Sequence, residues 1–201
     1  MIKGKKHIAK YHLAYFVTHP IHYQAPLLRE LSQRQEIDLK VFFIRDFSLS
    51  IDVMKDFSHG AKWDTPLLSG YEHTFLPKLY ESNYSGFFTP VVYGMRKVLK
   101  ERNWDAVWIH GYNHYSLIMV LILSSIFRIP IFYRSESNLK STSTHSLKNI
   151  FIRLLIKLST RLLFIGNDNK EYYKFFGAPE SKLFFTPYAV NNELFQHQSD
   201  Q

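Results

Sequence analysis

Short apolar runs alternate along this chain with longer stretches in which apolar residues recur every three or four positions. A short run favours a buried strand, and the longer spacing favours a helix with one apolar face. Alternation of the two is typical of a doubly wound parallel sheet, so the sequence predicts an α/β, Rossmann-like fold. The predicted strands are His12–Thr18, Ile37–Phe43, His73–Leu76, Asp105–Ile109, Pro130–Arg134, Leu162–Ile165 and Leu183–Phe185.

Helices are predicted between most of these strands. Pro26 lies inside the first, which opens at Pro20, so a kink or a late start is expected because proline has no amide hydrogen to donate. The helix Tyr112–Phe127 contains an uncharged run shorter than the ~20 residues that a membrane span needs, and it is predicted to be buried against the sheet. The remaining predicted helices are Thr89–Arg102, Ser143–Thr160 and the segment that follows Gly166 and ends at Phe176.

Composition narrows the class of protein. The chain has 201 residues with 46% hydrophobic content, enough for one large domain with a buried core. It has no cysteine, which excludes disulfides, thiolate metal sites and a cysteine nucleophile. The formal net charge of +8 calls for an acidic partner: nucleic acid, an anionic membrane or a phosphorylated substrate. No nucleic-acid-binding motif is recognisable, so nucleic acid is not expected.

Polar side chains follow four of the predicted strands. His19 comes after the first strand and His110 after the fourth, Arg134 ends the fifth strand and is followed by Glu136, and Asn167 comes after the sixth. The carboxyl ends of parallel strands meet at one edge of the sheet, where open α/β folds bind ligands. The sequence therefore predicts one cleft lined by these residues.

Each of these residues also has a structural interpretation. His19 and Asn167 are both placed where a side chain could cap a helix. His110 could be a satisfied core histidine, and Arg134 could form an ion pair with Glu136. The sequence alone leaves these alternatives open.

Histidine spacing also raises the question of a metal. His19 and His22 are three residues apart, and His110 and His114 are four apart, which on a helix would present two ligands to one ion. No Asp or Glu lies within a few residues of either pair, and His110 is predicted to end a strand. No metal site is therefore expected.

The last forty residues carry a family resemblance. The helix ending at Gly177, then Pro179, Lys182, a short strand, and Pro187-Tyr188-Ala189-Val190-Asn191 with Phe195 resemble the end of the N-terminal domain of GT-B glycosyltransferases, especially the retaining family 4. The stretch from Lys62 to Glu72 around Trp63 resembles a loop of some of these enzymes, and the alternative is an Ω-type loop. The segments around His19 and His110 are similar to strand ends of the family.

The resemblance implies a domain organisation. Residues 1–195 would be the N-terminal acceptor-binding domain, which is one half of a GT-B fold, and residues 196–201 would be a tail or the start of a linker. The C-terminal donor domain is expected to be absent from this sequence, and the isolated domain is expected to be inactive. A donor domain would be supplied in cis or in trans.

The resemblance also implies a reaction. The complete enzyme would transfer a sugar with retention from a nucleotide sugar to a saccharide or lipid-linked acceptor, for cell-surface polysaccharide. It would need no cofactor beyond this cosubstrate. His110 would lie beneath the transferring sugar as the catalytic residue, with His19, Arg134, Glu136 and Asn167 binding substrate. The alternatives are a non-catalytic Rossmann-like binding module and a split-enzyme subunit.

A basic helix near the end of the chain suggests a membrane contact. Among the apolar residues of Leu147–Leu163 lie Lys148, Arg153, Lys157 and Arg161, a combination that suits an anionic bilayer interface. The alternative is a core-facing helix with a solvated basic face. With no signal peptide apparent, we expect a cytoplasmic protein that can lie peripherally at the inner face of the membrane.

Overall fold

The computed structural model describes residues 10–46, 66–81, 86–141 and 147–188. Trp63 and residues 189–201 lie outside these ranges. The helices are α1 (Ala25–Gln33), α2 (Met95–Glu101), α3 (Tyr115–Ile126), α4 (Leu147–Leu158) and α5 (Asn167–Phe175). The strands are β1 (Tyr11–Val17), β2 (Ile37–Phe43), β3 (Glu72–Phe75), β4 (Lys78–Tyr80), β5 (Val91–Val92), β6 (Ala106–His110), β7 (Ile131–Arg134), β8 (Arg161–Phe164) and β9 (Leu183–Phe185).

Seven of these strands form one parallel sheet in the order β3-β2-β1-β6-β7-β8-β9. The chain builds outward from β1 to β3 on one side, and then returns to pair β6 with the other side of β1. Strand order therefore reverses between β1 and β6, which makes this point the topological switch of the sheet. The predicted doubly wound, Rossmann-like fold is confirmed.

Helices cover the two faces of the sheet unequally. Buried side chains of α2, α3, α4 and α5 share one core with the side chains of Val107 and Leu162, on one face. On the other face, α1 packs through Ala25 and Leu28 against Tyr15 and its neighbours. Successive strand residues point to opposite faces, which is why Trp108 belongs to the second core and Val107 to the first.

The predicted strands agree closely with the structure. Both β2 and β9 have the predicted bounds, β7 begins one residue later than predicted, and the other four strands are shifted by one residue at each end. Helix α1 begins at Ala25 and has proline in its first turn, so the late start is confirmed. Proline is tolerated there because the first amide groups of a helix have no partner within it.

The prediction of a helix over Thr89–Arg102 is wrong in its first half. Val91 and Val92 form β5, which pairs antiparallel with β4, and the backbone N–H and C=O of Val92 bond to the Tyr115 hydroxyl at 2.9 and 2.8 Å. Helix α2 begins only after Gly94, whose φ of 89° is left-handed. Two β-branched residues and this glycine outweigh the apolar spacing.

One other prediction needs correction. Helix α4 ends at Leu158, so Arg161 belongs to β8, where its guanidinium lies 5.2 Å from the ring centroid of Phe184. Helix α3 is buried against the sheet as predicted, through Leu117, Val120 and Leu121, and its outer side leaves Ile122 and Ile126 exposed. Within the described part of the chain, no helix has the length and apolar character needed to span a membrane.

Candidate functional site

The predicted cleft lies at the carboxyl edge of the sheet, beside the switch point. His110 is the last residue of β6, and His19 follows β1, the strand that pairs with β6. Arg134 ends β7, the next strand along, and Glu136 follows it. The fold thus brings four of the predicted residues together at the carboxyl ends of three adjacent strands, β1, β6 and β7.

His110 is buried in a network of neutral groups. The side-chain amide nitrogen of Gln24 lies 3.0 Å from Nδ1 and 3.2 Å from Nε2 of His110. The Gln24 carbonyl oxygen in turn accepts a hydrogen bond from the Tyr15 hydroxyl. Gln24 is buried and precedes α1 directly, so the start of that helix delivers its side chain to the end of β6. The sequence did not point to Gln24, because a glutamine in the loop between β1 and α1 belongs to no strand or helix pattern.

The surroundings of His110 keep its ring neutral. Burial lowers the pKa of His110 to about 4, and the positive charge of Arg134 acts in the same direction. The Glu136 carboxylate, whose Oε1 lies 3.9 Å from Nε2 of His110, opposes this effect only in part. Near pH 7 the imidazole therefore has one nitrogen that donates and one that accepts.

Glu136 is held by two tyrosines at the mouth of the cleft. Its Oε1 accepts hydrogen bonds from the hydroxyl of Tyr23, at 2.5 Å, and from the hydroxyl of Tyr188. Burial raises the pKa of Glu136, but these two hydrogen bonds and the nearby His110 and Arg134 outweigh burial and lower it. The half-exposed carboxylate is therefore ionised near pH 7, fixed in position and open on one side to a ligand.

Arg134 does not pair with Glu136 in this structure. It is fully buried, donates to the backbone oxygen of Thr186 at 3.0 Å, and lies 4.2 Å from the ring centroid of Tyr188. The ion-pair alternative is therefore wrong. Binding of a phosphate or carboxylate by Arg134 stays a prediction, and it requires Tyr188 to move aside.

His19 lies between the switch point and the loop that follows β2. A hydrogen bond of 2.9 Å joins its Nδ1 to the Thr18 hydroxyl, and its ring is partly buried. Burial and the charge of Arg45 lower the pKa of His19. The residue that precedes α1 is Gln24, so the helix-capping alternative for His19 is wrong. Its role in binding substrate stays a prediction.

Comparison with known proteins gives structural likenesses only. The sequence matches no protein-family model and no curated protein. UDP-N-acetylglucosamine 2-epimerase from Rickettsia bellii is similar over 96% of this chain and 48% of its own, with 15% identity and a TM-score of 0.61. The Neisseria meningitidis enzyme bound to UDP-GlcNAc is similar over 94% and 50%, with 19% identity and a TM-score of 0.59. Anabaena HepE in complex with UDP and glucose is similar over 92% of this chain and 46% of its own, with 10% identity and a TM-score of 0.58.

This chain has the fold of one half of a GT-B protein. It spans about half the length of each of these solved structures. The likenesses agree with the predicted Rossmann-like half, whereas they do not single out family 4.

Asn167 is set apart from the other predicted residues in this GT-B half. It is exposed at the first position of α5, after β8, and the residue that precedes the helix is Gly166. The capping alternative for Asn167 is therefore wrong, and its contact with substrate stays a prediction. Asn169, which sequence reasoning missed, is buried instead. It accepts from the Ile165 N–H at 3.2 Å and donates to the Ser137 carbonyl at 2.8 Å.

The histidine pairs of the GT-B half do not form a ligand set. His114 accepts a hydrogen bond from the Ser116 N–H at 3.2 Å and so caps α3. Across the described ranges, no three His, Cys, Asp or Glu side chains lie close enough together to hold a metal ion. A ligand at the switch point would therefore meet hydrogen-bonding groups and the negative charge of the Glu136 carboxylate.

Proposed function

We propose that this chain is the acceptor-side domain of an enzyme that acts on nucleotide sugars, and that the reaction is glycosyl transfer with retention to a saccharide or lipid-linked acceptor. A donor domain, in cis or in trans, would bind most of the nucleotide sugar. The observation that carries the proposal is that Nε2 of the buried His110 lies 3.9 Å from Oε1 of Glu136, at the switch point of a GT-B half. Ligands of open α/β sheets bind at this place.

The proposed roles follow from the state of each group. Glu136 accepts a hydrogen bond from an acceptor hydroxyl, since its carboxylate is ionised and two tyrosines fix its position. His110 exchanges a hydrogen bond with a hydroxyl of the transferring sugar, and Gln24 holds its ring in place. No metal takes part in this scheme.

A second candidate is epimerisation of a nucleotide sugar. Two of the three solved structures named above are UDP-N-acetylglucosamine 2-epimerases, and both are similar over nearly the whole of this chain. Such a reaction changes the sugar without an acceptor. The two candidates are therefore separated by their products.

The test uses the protein purified from its own cells, so that any further domain or bound partner is retained. It is incubated with radiolabelled UDP-sugars, with and without a lipid extract of those cells as acceptor, and the products are separated. The proposal predicts label in a glycan or glycolipid. An epimerised nucleotide sugar without transfer would favour the second candidate, and an unchanged donor would favour a non-catalytic binding module.

A pair of histidine variants locates the reaction. We expect His110→Ala to lower the rate of transfer about 100-fold, the order expected when a positioned polar group is lost from the reacting centre. His12→Ala is the matched control, because His12 is near the amino end of β1 and bonds to Asp38 at the opposite edge of the sheet. Equal rates in the two variants would remove His110 from the proposal.

A further inference from the structure

The outer side of α3 is apolar, which is unusual for a surface helix. No residue of α3 is charged, and its exposed side chains are Met119, Ile122 and Ile126, with exposed fractions of 39%, 40% and 65%. Their spacing of three and four residues aligns them in one stripe, about 10 Å long at 1.5 Å per residue. A contiguous apolar stripe that faces solvent marks an interaction surface.

Basic helices flank this stripe on both sides. Helix α3 packs between α2 and α4, and α4 adds exposed Ile150 and Leu154, at 66% and 50%. Glu101 is the one acidic residue of α2, α3 and α4. The exposed basic residues of these helices and the turn after α3 are Arg96, Lys97, Lys100, Arg128, Lys148, Arg153 and Lys157.

Two of the cations lie against aromatic rings at the ends of α3. The Lys100 Nζ is 5.2 Å from the ring centroid of Phe127, just after the helix. The Lys148 Nζ is 5.6 Å from the ring centroid of Tyr112, just before it. These contacts keep positive charge close to both ends of the apolar stripe.

We propose that this outer face, called here the α2–α4 surface, binds an anionic lipid bilayer. Apolar side chains that stand out from a helix can enter the boundary between headgroups and acyl chains, while lysine and arginine beside them reach the lipid phosphates. A second copy of the chain is a poor occupant, because its equivalent surface would bring two basic flanks together. The surface extends the predicted membrane contact to α2 and α3 and leaves out Arg161, which lies in β8 and not in a helix of this surface.

The test is co-flotation of the purified chain with vesicles of phosphatidylcholine, with or without one third phosphatidylserine. We expect binding to the anionic vesicles, little binding to the neutral ones, and weaker binding as salt is raised. Ile126→Glu should lower the partition coefficient about tenfold, because an apolar side chain is no longer buried. Lys148→Gln should lower it about fivefold, since one cation near an anionic surface is lost.

Matched controls keep the experiment specific. Tyr11→Glu changes an exposed aromatic residue of β1 on the face of the sheet that carries α1, and Lys140→Gln changes an exposed lysine that pairs with Asp168 of α5. Neither should alter vesicle binding. Absence of binding, equal binding to neutral vesicles, or no effect of Ile126→Glu would overturn the proposal. So would a wild-type dimer in sedimentation velocity that Ile126→Glu converts to a monomer.

Discussion

At the scale of single residues, the most informative group is His110. Its ring is buried beside a fully buried arginine, and its hydrogen-bonding neighbour is the uncharged amide of Gln24. A carboxylate in the position of Gln24 would have favoured the imidazolium form. The amide instead orients a neutral ring, which suits exchange of hydrogen bonds with hydroxyl groups.

The low pKa of His110 predicts how stability depends on pH. The folded pKa is about 4 and the unfolded value is about 6.5, so between these values the unfolded chain binds more protons. Stability from this group is present above about pH 6.5 and is lost as the pH falls through 4. Between pH 7 and pH 5 the loss amounts to about 2 kcal/mol.

Urea unfolding of the wild type and His110→Asn at pH 7 and pH 5 measures this difference. We expect the wild type to lose about 2 kcal/mol more than the variant, because asparagine does not titrate. Other histidines with a lowered pKa, such as His114, contribute equally to both proteins and cancel. An identical loss in the two proteins would contradict the account of His110.

At the scale of elements, the loops at the carboxyl edge are joined by buried side chains. Asn169 in α5 bonds to the backbone after β8 and to the backbone after β7, and the Tyr173 hydroxyl accepts from the Ser135 N–H at 2.9 Å. Helix α5 therefore fixes the loop that carries Glu136, and this loop needs no regular structure to keep its shape.

This role predicts different costs for two asparagines of the same helix. Asn169→Ala should destabilise the chain by about 1–3 kcal/mol, because it removes two hydrogen bonds of a buried side chain and leaves partly buried backbone groups without partners. Asn167→Ala, at an exposed position of the first turn, should change stability by less than about 0.5 kcal/mol. Thermal or urea unfolding of both variants measures the difference, and equal costs would show that Asn169 does not join the two loops.

The sequence predicted some elements well for a physical reason. Strand β2 alternates apolar and polar residues before an apolar end, and β9 is an apolar run between Lys182 and Thr186, so pattern alone locates both. The ribbon of β4 and β5 has strands of three and two residues, too short for any period to appear. Of the candidate site, the residues at strand ends were predictable, whereas Gln24 and Tyr188 reach it only through tertiary packing.

At the scale of the whole molecule, topology places the candidate site. Because strand order reverses between β1 and β6, the connections after these two strands diverge to opposite faces and leave a crevice at the carboxyl edge. His19, His110 and Glu136 all follow strands at or next to this crevice. The same arrangement puts α2, α3 and α4 side by side on one face, so the α2–α4 surface also follows from the topology.

The most direct test of the central claim is NMR of histidine side chains in the protein purified with isotope-labelled histidine from its own cells. The signals of His110 and His12 are assigned by their loss in His110→Asn and His12→Ala. On addition of UDP-N-acetylglucosamine or UDP-glucose we expect the His110 signals to shift and the His12 signals to stay in place. Binding of either nucleotide sugar that leaves the His110 signals unmoved would contradict a ligand site at the β1–β6 switch point.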